Sequence, residues 1–80
     1  MIELTDKQID MLYQMSDLHF QWFNKYSPES ETTYEEVLKL NHQKMCSILE
    51  SCSDYSEEMI DFIFESIIRD YKMMNDDYKK

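Results

Sequence analysis

The chain contains no glycine and no alanine, and its one proline is Pro28. Glycine-rich phosphate loops of the P-loop and Rossmann kinds are therefore excluded. Type I′ and II′ hairpin turns also lose their preferred residue, so strands joined by tight turns are disfavoured and helices become the default. Long apolar runs are missing too. Met59-Ile60 and Phe62-Ile63-Phe64 are typical, against the roughly 20 apolar residues of a membrane-spanning helix. The opening Met1-Ile2-Glu3-Leu4-Thr5-Asp6 has neither the basic flank nor the apolar stretch of a signal peptide, and the expected location is the cytoplasm.

Cations are scarce. Lys and Arg number 8 against 17 Asp and Glu, for a net charge of −9 and a pI near 4.4. Such a chain is repelled by nucleic acid and by anionic membranes, which argues against either as a direct ligand. Only two cysteines occur, Cys46 and Cys52. In one helix they would sit roughly 9 Å apart along the axis, too far for a disulfide, and no CxxC pattern suggests zinc. They read as two buried, reduced thiols.

At 80 residues, with 42% hydrophobic and 14% aromatic content, the chain has the length of one small domain and the core formers to fold it. Three amphipathic segments are readable. In the first, Thr5-Asp6-Lys7-Gln8 forms a capping box, with Leu4 and Ile9 placed as a hydrophobic staple. At 100° per residue Ile9, Leu12, Tyr13, Ser16, Phe20 and Phe23 share one face, with Met11, Met15, Leu18 and Trp22 as a second stripe beside it. An apolar arc that wide belongs to a helix central to its bundle, or to one that touches a partner. Pro28 stops this helix near Tyr26, and Ser27 to Glu31 is a polar loop.

The second segment opens on another capping box, Thr33-Tyr34-Glu35-Glu36. Its stripe is Tyr34, Val37, Leu38, Asn41, Met45, Ile48, Leu49 and Cys52. Asn41 at the centre reads as a hydrogen-bonded core amide that sets packing register. Ser53, Asp54 and Ser56 offer caps for the third segment, whose stripe is Ile60, Ile63, Phe64, Ile67, Tyr71, Met74 and Tyr78. Lys79 and Lys80 suit the negative end of its dipole. The expected fold is all-α, an antiparallel up-down-up three-helix bundle over residues 1–80, with helices at about 5–26, 33–52 and 56–78. A core of this size supplies only about 3–5 kcal/mol of net stability, so a homodimer is plausible on energetic grounds.

No constellation carries chemistry. His19 and His42 lie on different helices without HExxH spacing and read as packed or half-exposed imidazoles, not metal ligands. Cys46 and His42 sit at i, i+4 and could form a thiolate–imidazole pair, but a bundle this short offers little room for a substrate cleft. Calcium loops are absent around Asp54 and Asp76-Asp77, and Ser16-Asp17-Leu18 lies inside a helix, unlike the motif of acyl carrier proteins. The expectation is a non-enzyme without metal or cofactor.

Two surface features stand out. Asp54, Glu58, Asp61 and Glu65 follow i, i+4, i+7, i+11, which would line them along an outward face of the third helix, broadened by Glu57. Such a row could imitate a phosphate backbone and meet lysines or arginines of a nucleic-acid-binding protein. Phe62, Arg69 and Met73, at i, i+7, i+11, lie away from the core stripe, and Trp22 is a further candidate anchor.

In size, acidity, helicity and the amino-acid usage of an AT-rich gene, the chain resembles small phage-encoded inhibitors of host defence, including anti-CRISPR and anti-restriction proteins. The likeness is one of composition and assigns no residue. It implies a protein-binding inhibitor of a basic surface in the host cytoplasm. The alternative is a helical adaptor, antitoxin-like or assembly subunit that binds a partner helix through an apolar face, as a monomer or a homodimer.

Overall fold

The computed structural model describes residues 3–77. Three helices, α1 (Asp6–Tyr26), α2 (Tyr34–Ser51) and α3 (Glu57–Asp77), form an up-down-up bundle, with a 3-10 turn, Pro28–Ser30, between α1 and α2. Among the described residues no helix is long and apolar enough to cross a membrane. Tyr78, Lys79 and Lys80, read above as the end of the third helix, lie outside the described residues.

The helix starts follow from their caps. At α1 the box closes both ways: Gln8 N–H donates to Thr5 Oγ1 at 3.1 Å and Thr5 N–H to Gln8 Oε1 at 3.0 Å. At α2 it closes by half. Thr33 Oγ1 accepts from Glu36 N–H at 3.2 Å, but the Glu36 carboxylate accepts a hydrogen bond from the Thr33 hydroxyl at 3.3 Å instead of from the cap N–H. At α3 the cap is Ser56, whose Oγ accepts from Met59 N–H at 3.3 Å. The break after α1 is set by Pro28 in the first position of the 3-10 turn. The turn leaves through Glu31 at φ 53°, a left-handed conformation that costs a residue with a Cβ about 1–2 kcal/mol. Glycine would relieve that cost, and this chain has none.

α1 is the central helix. It packs extensively against both α3 and α2, which touch each other little. The wide apolar arc is thereby accounted for within one chain. Met11, Leu12 and Met15 of α1, Met45 of α2, and Ile60, Phe64 and Ile68 of α3 form the buried core. The Met11–Trp22 stripe thus turns inward, while Ile9 and Tyr13 of the other stripe are exposed. On α3 the buried ridge is Ile60, Phe64, Ile68 and Asn75, with Ile63, Ile67 and Tyr71 half-buried and Met74 exposed. Ile68, outside the expected stripe, is recruited because α3 packs chiefly on α1, which favours an i, i+4, i+8 ridge. Cys46 and Cys52 are free thiols, half-buried where full burial was expected.

One polar group ties the helices together. Asn41, 1% exposed, donates from Nδ2 to Val37 O at 3.1 Å and shares its second hydrogen between Ser16 Oγ and His19 Nδ1, each at 3.4 Å. Its Oδ1 accepts from the Tyr71 hydroxyl at 3.2 Å, so α2 is bonded to α1 and α3 through one side chain. With Asn41 donating, His19 accepts on Nδ1 and carries its proton on Nε2. The imidazole also stacks on Phe23 at 4.8 Å and leans on Tyr71 at 5.2 Å. Burial, helped by the Lys44 ammonium, holds the His19 pKa below the usual 6.5. Elsewhere, Asn75 Nδ2 donates to Leu18 O at 3.1 Å, and the Tyr34 hydroxyl donates to Asp17 Oδ1 at 2.7 Å. Desolvation first and that carboxylate second raise the Tyr34 pKa to about 12.

Replacing Asn41 with alanine strands Tyr71, Ser16 and His19 at once and is expected to cost about 2–3 kcal/mol, measured by urea unfolding. A loss under half a kcal/mol would show that the network is dispensable. A second prediction concerns pH. A depressed folded pKa means that the unfolded chain binds the His19 proton more tightly. The stabilisation is therefore complete above pH about 6.5 and is lost as pH falls from there through the folded value. Between pH 7 and 5.5 the urea midpoint of the wild type should drop more than that of His19→Gln. Equal drops would remove His19 as the cause.

Candidate functional site

The up-down-up path brings the N-termini of α1 and α3 and the C-terminus of α2 to one end of the bundle. The ion pair between Lys7 Nζ and Asp61 Oδ2 at 3.3 Å marks the register of α1 against α3 there. Asp6, Glu57 and Glu58 lie in first helical turns, where the positive end of the dipole favours them. Glu50 has no such support: it sits at the negative end of α2, whose last turn holds no basic residue. Glu3, Asp10 and Asp54 complete the group, and all seven are exposed. With Asp61 this end carries eight carboxylates, and Lys7 is its one cation among the described residues. The molecule measures 39 × 26 × 20 Å. With a Debye length of about 8 Å at physiological ionic strength, this acidic pole acts independently of the far end.

The continuous acidic row expected along α3 does not form. Asp54 lies in the turn ahead of the helix, because Ser56 is the cap and the helical spacing begins after it. Asp61 faces α1, its side chain only 15% exposed and paired with Lys7. Glu65 borders a cleft of about 320 Å³ between α1 and α3, in company with Lys7, Arg69 and Lys72 over a floor of Met11 and Ile68. Negative charge is gathered at the end of the bundle instead of along one helix. Glu57 and Glu58 keep the exposed positions read for them.

The outer face of α3 brings the apolar candidates together. Phe62 is 63% exposed and Met73 55%, and Arg69 is exposed between them. Met59, 54% exposed, extends the stripe toward the pole, and exposed Tyr55 precedes it. This face is opposite the buried Phe64. Trp22 is not part of it. The indole is half-buried on the far half of α1, its ring 5.4 Å from Phe23 and 5.9 Å from Tyr26, beside a recess that Tyr71 and Asn75 also line.

Met59, Tyr55, Glu3 and Glu50 were missing from the sequence-derived site, whereas Asp6 and Asp10 are carboxylates the sequence already places along the first helix. The pole was legible from topology alone, since an up-down-up bundle must juxtapose the three helix ends that these residues occupy. His42 and Cys46 do approach, with Sγ 3.9 Å from Nδ1 and 4.0 Å from Nε2, on α2 and away from the residues that line the α1–α3 cleft.

Phe62 and Phe64 offer a direct check of which face is which. At low micromolar concentration Phe62→Ser should leave stability within about 0.5 kcal/mol of the wild type. Phe64→Ala should cost about 3–5 kcal/mol. Similar urea midpoints for the two variants would overturn the assignment. No protein-family model, curated protein or solved structure matches the chain.

Proposed function

We propose that this protein is a non-enzymatic protein-binding inhibitor that sets its acidic pole on a basic surface of a nucleic-acid-handling complex and so excludes the nucleic acid. The reading rests on one observation: among the described residues, carboxylates contributed by all three helices converge at one end of the bundle with a single lysine among them. Concentrating like charge costs stability, and a cationic partner is what offsets that cost. Carboxylates presented on helix ends can pair with lysines and arginines that otherwise hold phosphates, and such encounters are fast and salt-sensitive.

The carboxylates form a patch and not a ladder with the pitch of a nucleic-acid strand. This favours occlusion of the basic surface over imitation of the phosphate backbone. Exposed Tyr55 at the edge of the patch supplies an apolar contact. An inhibitor of host defence encoded by a phage, acting in the host cytoplasm without cofactor or metal, is the biological setting we propose. A second reading, an adaptor that binds a partner helix through an apolar face, draws on exposed Met59, Phe62 and Met73.

A tagged pull-down from bacterial lysate, washed across a salt series, separates the two. The pole reading predicts a nucleic-acid-binding protein that is released at moderate salt and is not captured by the triple reversal Glu50→Lys, Asp54→Lys, Glu57→Lys. Capture that survives high salt, or that the triple reversal leaves intact, would rule it out.

A further inference from the structure

We propose that the outer face of α3 docks on a second copy of the same chain, the two α3 helices packing antiparallel about a two-fold axis near Ser66. Met59, Phe62, Ser66, Arg69 and Met73 follow one another at spacings of 3, 4, 3 and 4, the seam spacing of a helix that packs against another helix. This seam runs along the side of α3 turned away from Phe64 and the core, and none of the described residues covers it: Met59, Phe62, Arg69 and Met73 are all exposed.

The seam is nearly its own mirror in sequence. Met59 and Met73 lie seven positions on either side of Ser66, Phe62 four before it and Arg69 three after. A two-fold antiparallel pairing therefore sets Met59 against Met73 of the partner subunit. It also brings Phe62 under Arg69 of the partner subunit, where the guanidinium can lie over the ring. Ser66 turns its hydroxyl back onto Phe62 O at 2.9 Å, so the small residue at the axis exposes little unsatisfied polarity and lets the helices approach.

Charge selects the second copy and the antiparallel sense. In a chain with twice as many acids as bases, Arg69 and Lys72 have no carboxylate partner among the described residues. On the flank they share, Glu58 and Glu65 occupy the first half of α3 and Lys72 the second. An antiparallel pair brings Lys72 to Glu58 of the partner subunit, twice per dimer, and Arg69 within reach of Glu65 of the partner subunit. A parallel pair, in which each flank meets the opposite flank, would instead set Glu65 against Asp70 of the partner subunit, two carboxylates. In the antiparallel pair Asp70 lies on the other flank, outside this exchange.

The pairing stands apart from the acidic-pole reading, and salt tells them apart. Salt screens the exposed ion pairs, which contribute little, but also the repulsion between two copies of net charge −9; with the apolar seam carrying the contact the dimer tightens as salt rises, whereas a complex between the pole and a basic surface loosens. Sedimentation velocity on the full chain, over a concentration series at low and high salt, is expected to show a monomer–dimer equilibrium that strengthens with salt. Phe62→Glu should weaken it by more than about tenfold while the helical circular dichroism is unchanged. Glu58→Lys and Lys72→Glu should each weaken it, and the double exchange should restore it to within about threefold. With Cys46 and Cys52 replaced by serine, Ser66→Cys should oxidise to a covalent dimer much faster than a cysteine placed at exposed Gln43 on α2. A monomer under every condition would overturn the proposal. So would a dimer indifferent to Phe62→Glu, or a charge exchange without rescue.

Discussion

The Asn41 carboxamide is the hinge of this small bundle in the energetic sense. It is almost fully buried, and its partners come from α1, from α3 and from its own helix. Burying a primary amide is unfavourable unless its donors and acceptor are met, so the sliding of any helix by one residue would strand it. Apolar contacts among methionines and isoleucines tolerate such slips, because flexible side chains refill the space. The amide does not. Register fixed at Asn41 is carried to both ends: to the Lys7–Asp61 pair at the acidic pole and to the Leu18–Asn75 bond at the other end.

α3 divides its circumference among three jobs. Its inner ridge, Ile60, Phe64 and Ile68, fills the core. One flank carries Asp61 and Glu65 toward α1, where Lys7 pairs with Asp61. The outer face shows two methionines and a phenylalanine to solvent. A helix with that distribution gains nothing inside its own chain from the outer apolar residues, since replacing them with polar ones would leave the core intact. The proposed pairing of two α3 helices would give these residues a contact, as the proposed basic partner would give one to the carboxylates of the pole.

Much of this was legible in the sequence. The helix count, the breaks at Pro28 and Ser56, the capping box at Thr5, the central place of the first helix and the buried Asn41 all follow from local chemistry and 3.6-residue periodicity. Phe62 and Met73 were readable as outward because they fall on the far side of the helix from Phe64. What escaped depended on which helix packs against which. Asp61 looks like a surface carboxylate until α1 delivers Lys7 to it, and Ile68 looks peripheral until α3 leans chiefly on α1. Asp54 seemed to belong to a helical row only because its spacing was counted through a turn. The acidic pole is an effect of topology: residues far apart in the sequence share an end, and no linear pattern displays that.

The central position of α1 also bears on how the chain folds. Helices adjacent in sequence can pair early, yet here α1 packs against α3 as extensively as against α2, and α3 arrives only after α2 and two turns have been made. An α1–α2 hairpin alone would bury Met45 against α1 and leave Met11 and the rest of that side facing water. It would also lack Tyr71, the group that meets the Asn41 oxygen. The left-handed backbone at Glu31, in the connection between them, adds a local penalty to that early hairpin. Partial structures are thus poor resting places, and the chain should fold and unfold as one cooperative unit with the closing of α3 onto α1 as its committing step.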